Sequence, residues 1–193
     1  MTVLVATHEP FLQSPAQLFI LPMSSSGTVL HPVLARTKTM FVSNYSAYRQ
    51  ACREGIELGD VLLHRVQKQQ LGLGVASNQG AQYIANLISC HHAHHDTQTS
   101  TIKACLSKLA PELFELVRYQ GVRRAALLAS PMFGATAISQ NIASQDGTAI
   151  TVQELWSALA ALDMPRLRLD VHLDKAVCID EINKLHDGCD VLP

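Results

Sequence analysis

A dense group of histidines is the first feature of this sequence that could do chemistry. The string CHHAHHD, from Cys90 to Asp96, holds four imidazoles and one thiol within six residues, followed by a carboxylate. These groups are ligands for Zn²⁺, Ni²⁺ or Cu²⁺. Their spacing matches no recognised ligand set, so an exposed polar loop is favoured and no metal is assigned. The alternative is that Cys90 acts as a nucleophile with a neighbouring imidazole, such as His92, as its base.

A carboxylate directly after the first β-branched segment is the second candidate. Glu9 follows His8 and precedes Pro10, where the strand predicted over Thr2–Thr7 must stop. A carboxylate beyond a strand end can accept a hydrogen bond from an amine or act as a general base. An ordinary polar turn before Pro10 is the alternative interpretation.

Two loops of small residues could hold a phosphate group. The first, MSSSGT, offers the hydroxyls of Ser24, Ser25, Ser26 and Thr28 around Gly27. The second, SPMFGAT, contains Phe133, Gly134, Ala135 and Thr136. In it Phe133 could stack on a base or ribose, and Gly134 could admit a phosphate. The alternatives are an ordinary small-residue loop in the first case and a core position for Phe133 in the second.

The elements around Cys90 predict how these residues are positioned. The apolar run from Gln82 predicts a strand, and TSTIKACLSKLAPELFELVRYQG predicts a helix capped by Thr99 or Ser100 and ended by Gly121. A second buried strand, VRRAALLAS, leads into SPMFGAT. Strand, crossover helix and strand form a βαβ unit, in which ligands bind beyond the carboxyl ends of the strands. The histidine group and SPMFGAT should therefore share one end of the sheet.

The rest of the chain predicts further elements of the same kind. Further strands are predicted over Ala16–Leu21, ended by Pro22, over Leu58–Val66, and over Leu167–Leu173 with one solvent-exposed face. Helices are predicted after Asn44 as N-cap and over Thr151–Leu162, where Thr151 and Glu154 form a capping box. About six strands with three or four helices predict a three-layer α/β/α domain with a mixed sheet.

Composition narrows the class of protein. The 193 residues are 48% hydrophobic with a net charge of −1, which suits one domain, residues 1–193, and gives no electrostatic signal for nucleic acid. No apolar run reaches the length of a membrane span. Five widely spaced cysteines without a CxxC pair favour a reduced, cytoplasmic protein. No cofactor is indicated.

Several strings resemble the macro domain family, whose fold binds ADP-ribose. NYSAYRQACREG followed by LGDVLL is similar to that family's P-x-N-Y-x-A-Y-x-x-A-C-x-x-G helix and next strand, and ATHEPFLQSPAQLFILP resembles its first two strands. YIANLI and GVRRAALLASPMFG resemble its Y-I-I-N-F-P and G-I-R-S-I-A-I-P-x-L-G strands. The resemblance covers about Val3 to Leu173, and residues 174–193 form a tail outside it. Within the family, the sequence is most similar to the bacterial antitoxin hydrolases that remove ADP-ribose from DNA.

The ligand-side positions depart from the family pattern. The resemblance implies that Glu9 stands where the family's Asp holds the adenine amino group, with His8 in place of Gly, and that Leu21 and Ser24 replace ribose-orienting Asn residues. The glycine-rich phosphate loop expected after Gly27 reads TVLHPVLA, and the second reads GATAIS. The antitoxin branch has a catalytic Lys at the position of Cys90.

Three functions stay open on the sequence alone. The first is binding of ADP-ribose or a related nucleotide, with or without hydrolysis, in a cleft lined by Glu9, Ser24–Thr28, Cys90–His92 and Phe133–Thr136. If hydrolysis occurs, Glu9 or a histidine of the cluster would activate water. The second is a catalytically inactive module with a protein partner, whose cleft is filled by side chains such as Leu21, Leu30 and Pro32. The third is metal binding by the histidine loop, with imidazoles about 2.0–2.1 Å from the ion.

Overall fold

A six-stranded mixed sheet forms the centre of the molecule. The structure is a computed structural model that describes residues 2–66, 81–133, 149–177 and 179. The strands, in chain order, are β1 (Val3–Thr7), β2 (Leu18–Ser24), β3 (Val61–Arg65), β4 (Tyr83–Cys90), β5 (Arg124–Leu128) and β6 (Arg168–His172). They lie in the order β1-β6-β5-β2-β4-β3, all parallel except the antiparallel edge strand β3.

Four α-helices of the described chain cover the two faces of this sheet. They are α1 (Pro32–Met40), α2 (Val42–Glu54), α3 (Thr99–Tyr119) and α4 (Val152–Ala160). The predicted three-layer α/β/α class with about six strands and three or four helices is confirmed. No described helix has the length and apolar character needed to cross a membrane.

The sheet separates two hydrophobic cores, one on each of its faces, and strand β2 contributes side chains to both. Leu18 and Ile20 pack into the core beneath α3 and α4, whereas Phe19, Leu21 and Met23 pack into the core beneath α1 and α2. Successive side chains of a strand point to opposite faces, so a strand covered on both faces is apolar throughout. All seven residues of β2 are buried as a result.

The predicted end of β2 at Leu21, before Pro22, is wrong by three residues. The strand continues through Pro22 to Ser24 beside β4. Pairing with β5 stops at Ile20, so Pro22 interrupts no hydrogen bond on that side of the strand. A proline is tolerated where the ladder has already ended.

The prediction of a solvent-exposed face on the last strand holds for Arg168 but is wrong for Asp170 and His172. Asp170 and His172 are 2% and 4% exposed, because β6 lies inside the sheet between β1 and β5. Asp170 is satisfied by ion pairs with Arg124 at 2.5 Å and Arg168 at 2.7 Å. The sheet order, rather than the alternation of residues, decides the burial of this strand.

Two of the three predicted helix starts are wrong. Asn44 is not a cap, since α2 begins at Val42 and the Asn44 side chain points into the core. Neither Thr99 nor Ser100 caps α3, whose N-cap is Gln98 without a side-chain hydrogen bond. The Thr151–Glu154 capping box of α4 is confirmed. Gly55 ends α2 with a φ of 90°, a left-handed conformation that glycine adopts without a steric penalty.

Candidate functional site

The five parallel strands end at the same edge of the sheet, named here the carboxyl edge. The segments that follow these strands include the predicted candidates: Glu9 after β1, Ser24–Thr28 at the end of β2, Cys90–His95 at the end of β4, and Ser130–Phe133 after β5. As expected from the βαβ unit, the histidine group and the start of SPMFGAT lie at one edge, although β2 lies between β4 and β5. Gly134, Ala135 and Thr136 lie outside the described residues.

The first small-residue loop is held by its own hydroxyls. The Ser24 hydroxyl donates to the Thr28 carbonyl at 2.9 Å, and the hydroxyls of Ser26 and Thr28 are 2.7 Å apart. The amides of Ser25 and Ser26 donate to the carbonyls of Cys90 and His91, at 2.9 and 3.0 Å. This loop therefore extends the pairing of β2 with β4 beyond the strand ends.

Gly27 is required at the turn of this loop. Its φ is 76°, and a Cβ atom there would lie 2.8 Å from the Arg49 guanidinium, which donates to the Gly27 carbonyl at 3.0 Å. A side chain at this position would have to strain the backbone and displace Arg49. The sequence pattern identified Gly27 as the pivot of the turn but gave no sign of Arg49, which is contributed by α2.

Side chains of α2 also support the loop from below. The fully buried Tyr48 donates through its hydroxyl to the Ser24 carbonyl, and the Cys52 thiol lies 3.8 Å from the same oxygen. Burial raises the pKa of both Tyr48 and Cys52 above their ordinary values. Both groups are therefore neutral supports of the loop and are not poised to ionise.

Cys90 lies at the end of β4 in a half-buried environment. Burial raises the pKa of its thiol, an effect that a hydrogen bond with Ser89 opposes. Among the described residues no imidazole forms a hydrogen bond with this thiol, although the neighbouring His91 approaches Ser25 at 3.4 Å. A reactive cysteine needs a lowered pKa, so this environment does not activate Cys90 as a nucleophile.

The exposed histidines pack against one another. The ring centroids of His92 and His94 are 5.6 Å apart and stacked, and the His95 ring meets His92 and His94 edge-on at 5.1 and 4.6 Å. Within the described part of the chain, no group of three or more His, Cys, Asp or Glu side chains is arranged to hold a metal ion. The imidazoles thus stand at the carboxyl edge as exposed polar side chains.

Glu9 stands at the surface beyond β1. Its side chain is exposed, and its amide donates to the Thr7 hydroxyl at 3.1 Å, which fixes the turn. The Glu9 carbonyl accepts a hydrogen bond at 2.9 Å from Nδ1 of His172, the last residue of β6. The carboxylate is thereby placed at the carboxyl edge with solvent access.

Two histidines at this edge were missed by the sequence interpretation. His172 is buried against the edge of the Phe11 ring, with ring centroids 5.2 Å apart, and burial lowers its pKa. His31 is the N-cap residue of α1, and its Nε2 lies 3.4 Å from the Ser130 hydroxyl, which follows β5. Burial lowers the pKa of His31 as well, against the opposing charge of Asp174. Only the sheet order brings β6 and its terminal histidine to this position.

Phe133 occupies a core position. It is 7% exposed and belongs to the cluster beneath α3 and α4, which is the alternative that the sequence left open. A separate groove of about 720 Å³ lies between α3 and α4, lined by residues such as Lys103, Ser107 and Ser157. None of the predicted site residues lines that groove.

Comparison with known proteins identifies the fold. No model of a known protein family matches the sequence, and no curated protein is similar to it at a significant level. The macrodomain of Thermus aquaticus DarG superposes with a TM-score of 0.67 at 19% identity, covering 89% of this chain and 99% of that one. Thermosipho africanus DarTG in complex with ADP-ribose gives 0.65 at 14% identity, covering 94% of this chain and 44% of that longer one. The Oceanobacillus iheyensis macrodomain with ADP gives 0.58 at 11%, covering 96% and 91%.

These likenesses establish the fold of the chain. It is the macrodomain fold, close to that of the DarG macrodomains, as the resemblance in the sequence predicted. The identities of 11–19% establish the architecture and not the contents of a binding site.

Proposed function

We propose that this chain binds ADP-ribose, or a related nucleotide, at the carboxyl edge of its sheet. The observation that carries the proposal is the fold, which is shared with part of Thermosipho africanus DarTG, solved in complex with ADP-ribose, and with the Oceanobacillus iheyensis macrodomain, solved with ADP. Ligands of sheets with parallel strands bind beyond the carboxyl ends of those strands. Glu9, Ser24–Thr28, Cys90–His92 and Phe133 all follow or end strands at this edge.

The chemistry of the edge supports a nucleotide ligand. The exposed Glu9 carboxylate can accept from the amino group of adenine, the role that the family resemblance gives to this position. The first turn of α1 follows the Ser24–Thr28 loop, and the unpaired amides of a helix N-terminus attract a diphosphate. In this proposal, backbone amides in the first turn of α1 bind the diphosphate. In the family pattern that role belongs to the glycine-rich loop, which this sequence lacks.

The exposure of the loop before α1 favours an open cleft over a filled one. Leu30 is 65% exposed and Pro32 is exposed, so neither side chain fills a cleft. Leu21 is buried, but it belongs to the core beneath α1 and α2. None of the three side chains expected to fill the cleft of an inactive module therefore has the place which that interpretation gave it.

Calorimetric titration of metal-free protein with ADP-ribose tests the proposal. We expect a dissociation constant on the order of micromolar, weakened about tenfold or more by Glu9→Ala, because a hydrogen bond to a charged group is lost. Glu115→Ala, an exposed carboxylate on α3, is the matched control and should bind like the unsubstituted protein. Absence of both heat and a thermal shift with the unsubstituted protein would overturn the proposal.

A second candidate function, binding without hydrolysis, is favoured by the environment of Cys90. Its raised thiol pKa and the lack of an imidazole partner among the described residues argue against attack by this residue. Any hydrolysis would then depend on water activated by Glu9 or by a histidine such as His92. Incubation with ADP-ribosylated DNA and protein separates the two functions. Release of ADP-ribose identifies a hydrolase, and retained binding without release identifies a binding module, for which a protein partner is then sought.

A further inference from the structure

We infer that the exposed imidazoles of the histidine loop, residues 91–95, supply positive charge to the diphosphate site, so that the nucleotide binds together with protons. The inference rests on the proposed nucleotide binding and adds the groups whose protonation controls it. It is carried by the place of four exposed imidazoles, on a loop that is hydrogen-bonded to the Ser24–Thr28 loop.

Backbone hydrogen bonds hold the histidine loop against the Ser24–Thr28 loop. The Ser25 amide donates to the Cys90 carbonyl at 2.9 Å, and the Ser26 amide donates to the His91 carbonyl at 3.0 Å. Nδ1 of His91 lies 3.4 Å from the Ser25 hydroxyl. Because the Ser24–Thr28 loop leads into α1, the histidine loop adjoins the segment to which the proposed function assigns the diphosphate.

The other three imidazoles of the loop form one cluster. The ring centroids of His92, His94 and His95 lie between 4.6 and 5.6 Å apart, and all three side chains are exposed. The His95 amide donates to the His92 carbonyl at 2.9 Å, which closes the turn that brings the rings together. Charges at these separations interact, because screening at physiological ionic strength acts over about 8 Å. A proton on one ring therefore opposes protonation of the others.

The charges around the loop favour an anionic ligand. Desolvation and the charges of the other three imidazoles lower the pKa of His95, whereas the carboxylate of Asp96 opposes them. From the neighbouring loop the uncharged Ser25 faces His91, and the Arg49 guanidinium of α2 donates to the Gly27 carbonyl behind it. One carboxylate cannot neutralise four imidazolium ions. A diphosphate, with two negative charges, is the complementary partner.

The sign of the expected pH dependence follows from this charge. A neighbouring anion favours the charged form of an imidazole, so a bound diphosphate promotes protonation of the loop. The affinity is then highest below the ordinary histidine pKa of about 6.5 and falls as the pH rises above it. ADP-ribose is a suitable probe because its phosphates are diesters. Unlike a phosphomonoester, whose second pKa is about 6, they do not titrate in this range.

His31 is another histidine that would give a pH dependence of the same sign. It is the N-cap residue of α1, and burial lowers its pKa against the opposing charge of Asp174. Its Nε2 lies 3.4 Å from the Ser130 hydroxyl, so this ring faces the segment after β5. His172 on β6 is separated from β4 by two strands of the sheet. Substitution therefore separates the contribution of the histidine loop from that of His31.

Calorimetric titration with ADP-ribose between about pH 5.5 and pH 8, on both sides of the ordinary histidine pKa, tests the inference. A chelator excludes metal ions, and buffers of different ionisation enthalpy give the number of protons taken up. The control His64→Gln removes an imidazole of edge strand β3 that bonds Ser43 at 3.0 Å, and His31→Gln tests the N-cap. A fourfold variant replaces the exposed imidazoles by amides that cannot be protonated: His91→Asn, His92→Asn, His94→Asn and His95→Asn.

We expect the affinity of the unsubstituted protein to fall at least about fivefold from pH 5.5 to pH 8, with net uptake of protons on binding. His64→Gln and His31→Gln should keep this dependence. In the fourfold variant it should shrink to less than about twofold, and the affinity at pH 8 should match that of the unsubstituted protein, because the imidazoles are neutral there.

Two results of this titration would overturn the inference. One is an affinity of the unsubstituted protein that does not depend on pH. The other is an undiminished dependence in the fourfold variant, and its loss in His31→Gln would then assign it to the N-cap. Absence of binding at every pH would instead overturn the proposed function, and this inference with it.

A measurement on the unsubstituted protein needs no variant. The carbon-bound ring protons of each histidine report its protonation when the pH is varied in an NMR experiment. With saturating ADP-ribose, the titration midpoints of the loop imidazoles should move to higher pH by about half a unit or more, and that of His64 should stay in place. Midpoints of the loop that do not move on saturation would contradict the inference.

Discussion

At the scale of single residues, a pair of amides joins a helix to the centre of the sheet. Asn86 in β4 is fully buried, and Asn44 in α2 is 4% exposed. The Asn86 amide nitrogen donates to the Asn44 oxygen at 2.8 Å, and the Asn44 nitrogen donates back at 3.3 Å. The Asn86 nitrogen also approaches the Leu62 carbonyl at 3.4 Å. Buried amides with complete partners fix one packing of α2 on the sheet, because a shift would leave them unpaired.

Replacing one amide of this pair should be costly and replacing both less so. We expect Asn86→Leu to lower the free energy of unfolding by about 2–3 kcal/mol, since the buried Asn44 amide loses its partner. The double variant Asn44→Leu with Asn86→Leu should recover part of that loss, because no orphan amide remains. Urea denaturation of the two single variants and the double variant measures the coupling. Additive losses in the double variant would show that the pair does not act as a unit.

The residues missed by the sequence interpretation share a physical cause. Asn44 has the residue type of an N-cap, and its partner Asn86 lies 42 positions away. His172 has the place of a solvent-exposed residue in an alternating strand, and its partners are contributed by Glu9 and Phe11. In each case the deciding contact is distant in sequence, so local patterns had no access to it. Glu9 was predicted as a candidate site residue because the pattern that indicates it, a carboxylate directly after a strand, is local in the sequence.

At the scale of elements, one carboxylate holds the starts of two helices. Glu154 accepts from the Thr151 amide at 2.9 Å and from the Thr99 hydroxyl, at the first residue of α3, at 3.1 Å. The Thr151 hydroxyl in turn accepts from the Glu154 amide at 3.2 Å, which completes the capping box. The hydrogen bonds from Thr151 are the main cause that lowers the pKa of Glu154. The box thus joins α4 to α3 as well as capping α4.

Removal of the cap should destabilise the protein by a predictable amount. We expect Thr151→Ala to lower the free energy of unfolding by about 1 kcal/mol, the usual cost of losing an N-cap hydroxyl. Ser100→Ala is the matched control, because Ser100 is an exposed hydroxyl in the first turn of α3 that caps nothing. Its stability should change by less than about 0.5 kcal/mol. Equal losses in the two variants by chemical denaturation would contradict this account of the cap.

Elements with strong local signals were predictable from the sequence, but the residues at which these elements begin and end were harder to predict. The helix predicted for the α3 segment and the Thr-x-x-Glu pattern of α4 depend on neighbours within one or two turns, and both the helix and the capping box are confirmed. The length of β2 depends on where β5 stops pairing with it, which is a property of the assembled sheet. Periodicity therefore predicts that an element exists, and tertiary contacts decide where it ends.

At the scale of the whole molecule, the strand order places segments that are distant in the sequence side by side at the carboxyl edge. Because β6 lies between β1 and β5, the ends of the first and last strands come together, and Glu9 meets His172. The sequence predicted the α/β/α class and the shared end of β4 and β5, since a βαβ unit requires both. The position of β6 was not predictable from alternation alone, because neither a strand's neighbours nor its burial are encoded within its own residues.

One measurement tests most directly the claim that a nucleotide binds at the carboxyl edge. It is a titration of ¹⁵N-labelled protein with ADP-ribose, followed residue by residue through the backbone amide resonances. The account predicts saturable shifts concentrated at Glu9, Ser24–His31, Cys90–His92 and Ser130–Phe133, with α3 beyond its first turn unaffected. Saturable shifts confined to the groove between α3 and α4, or no shifts at millimolar ADP-ribose, would contradict it.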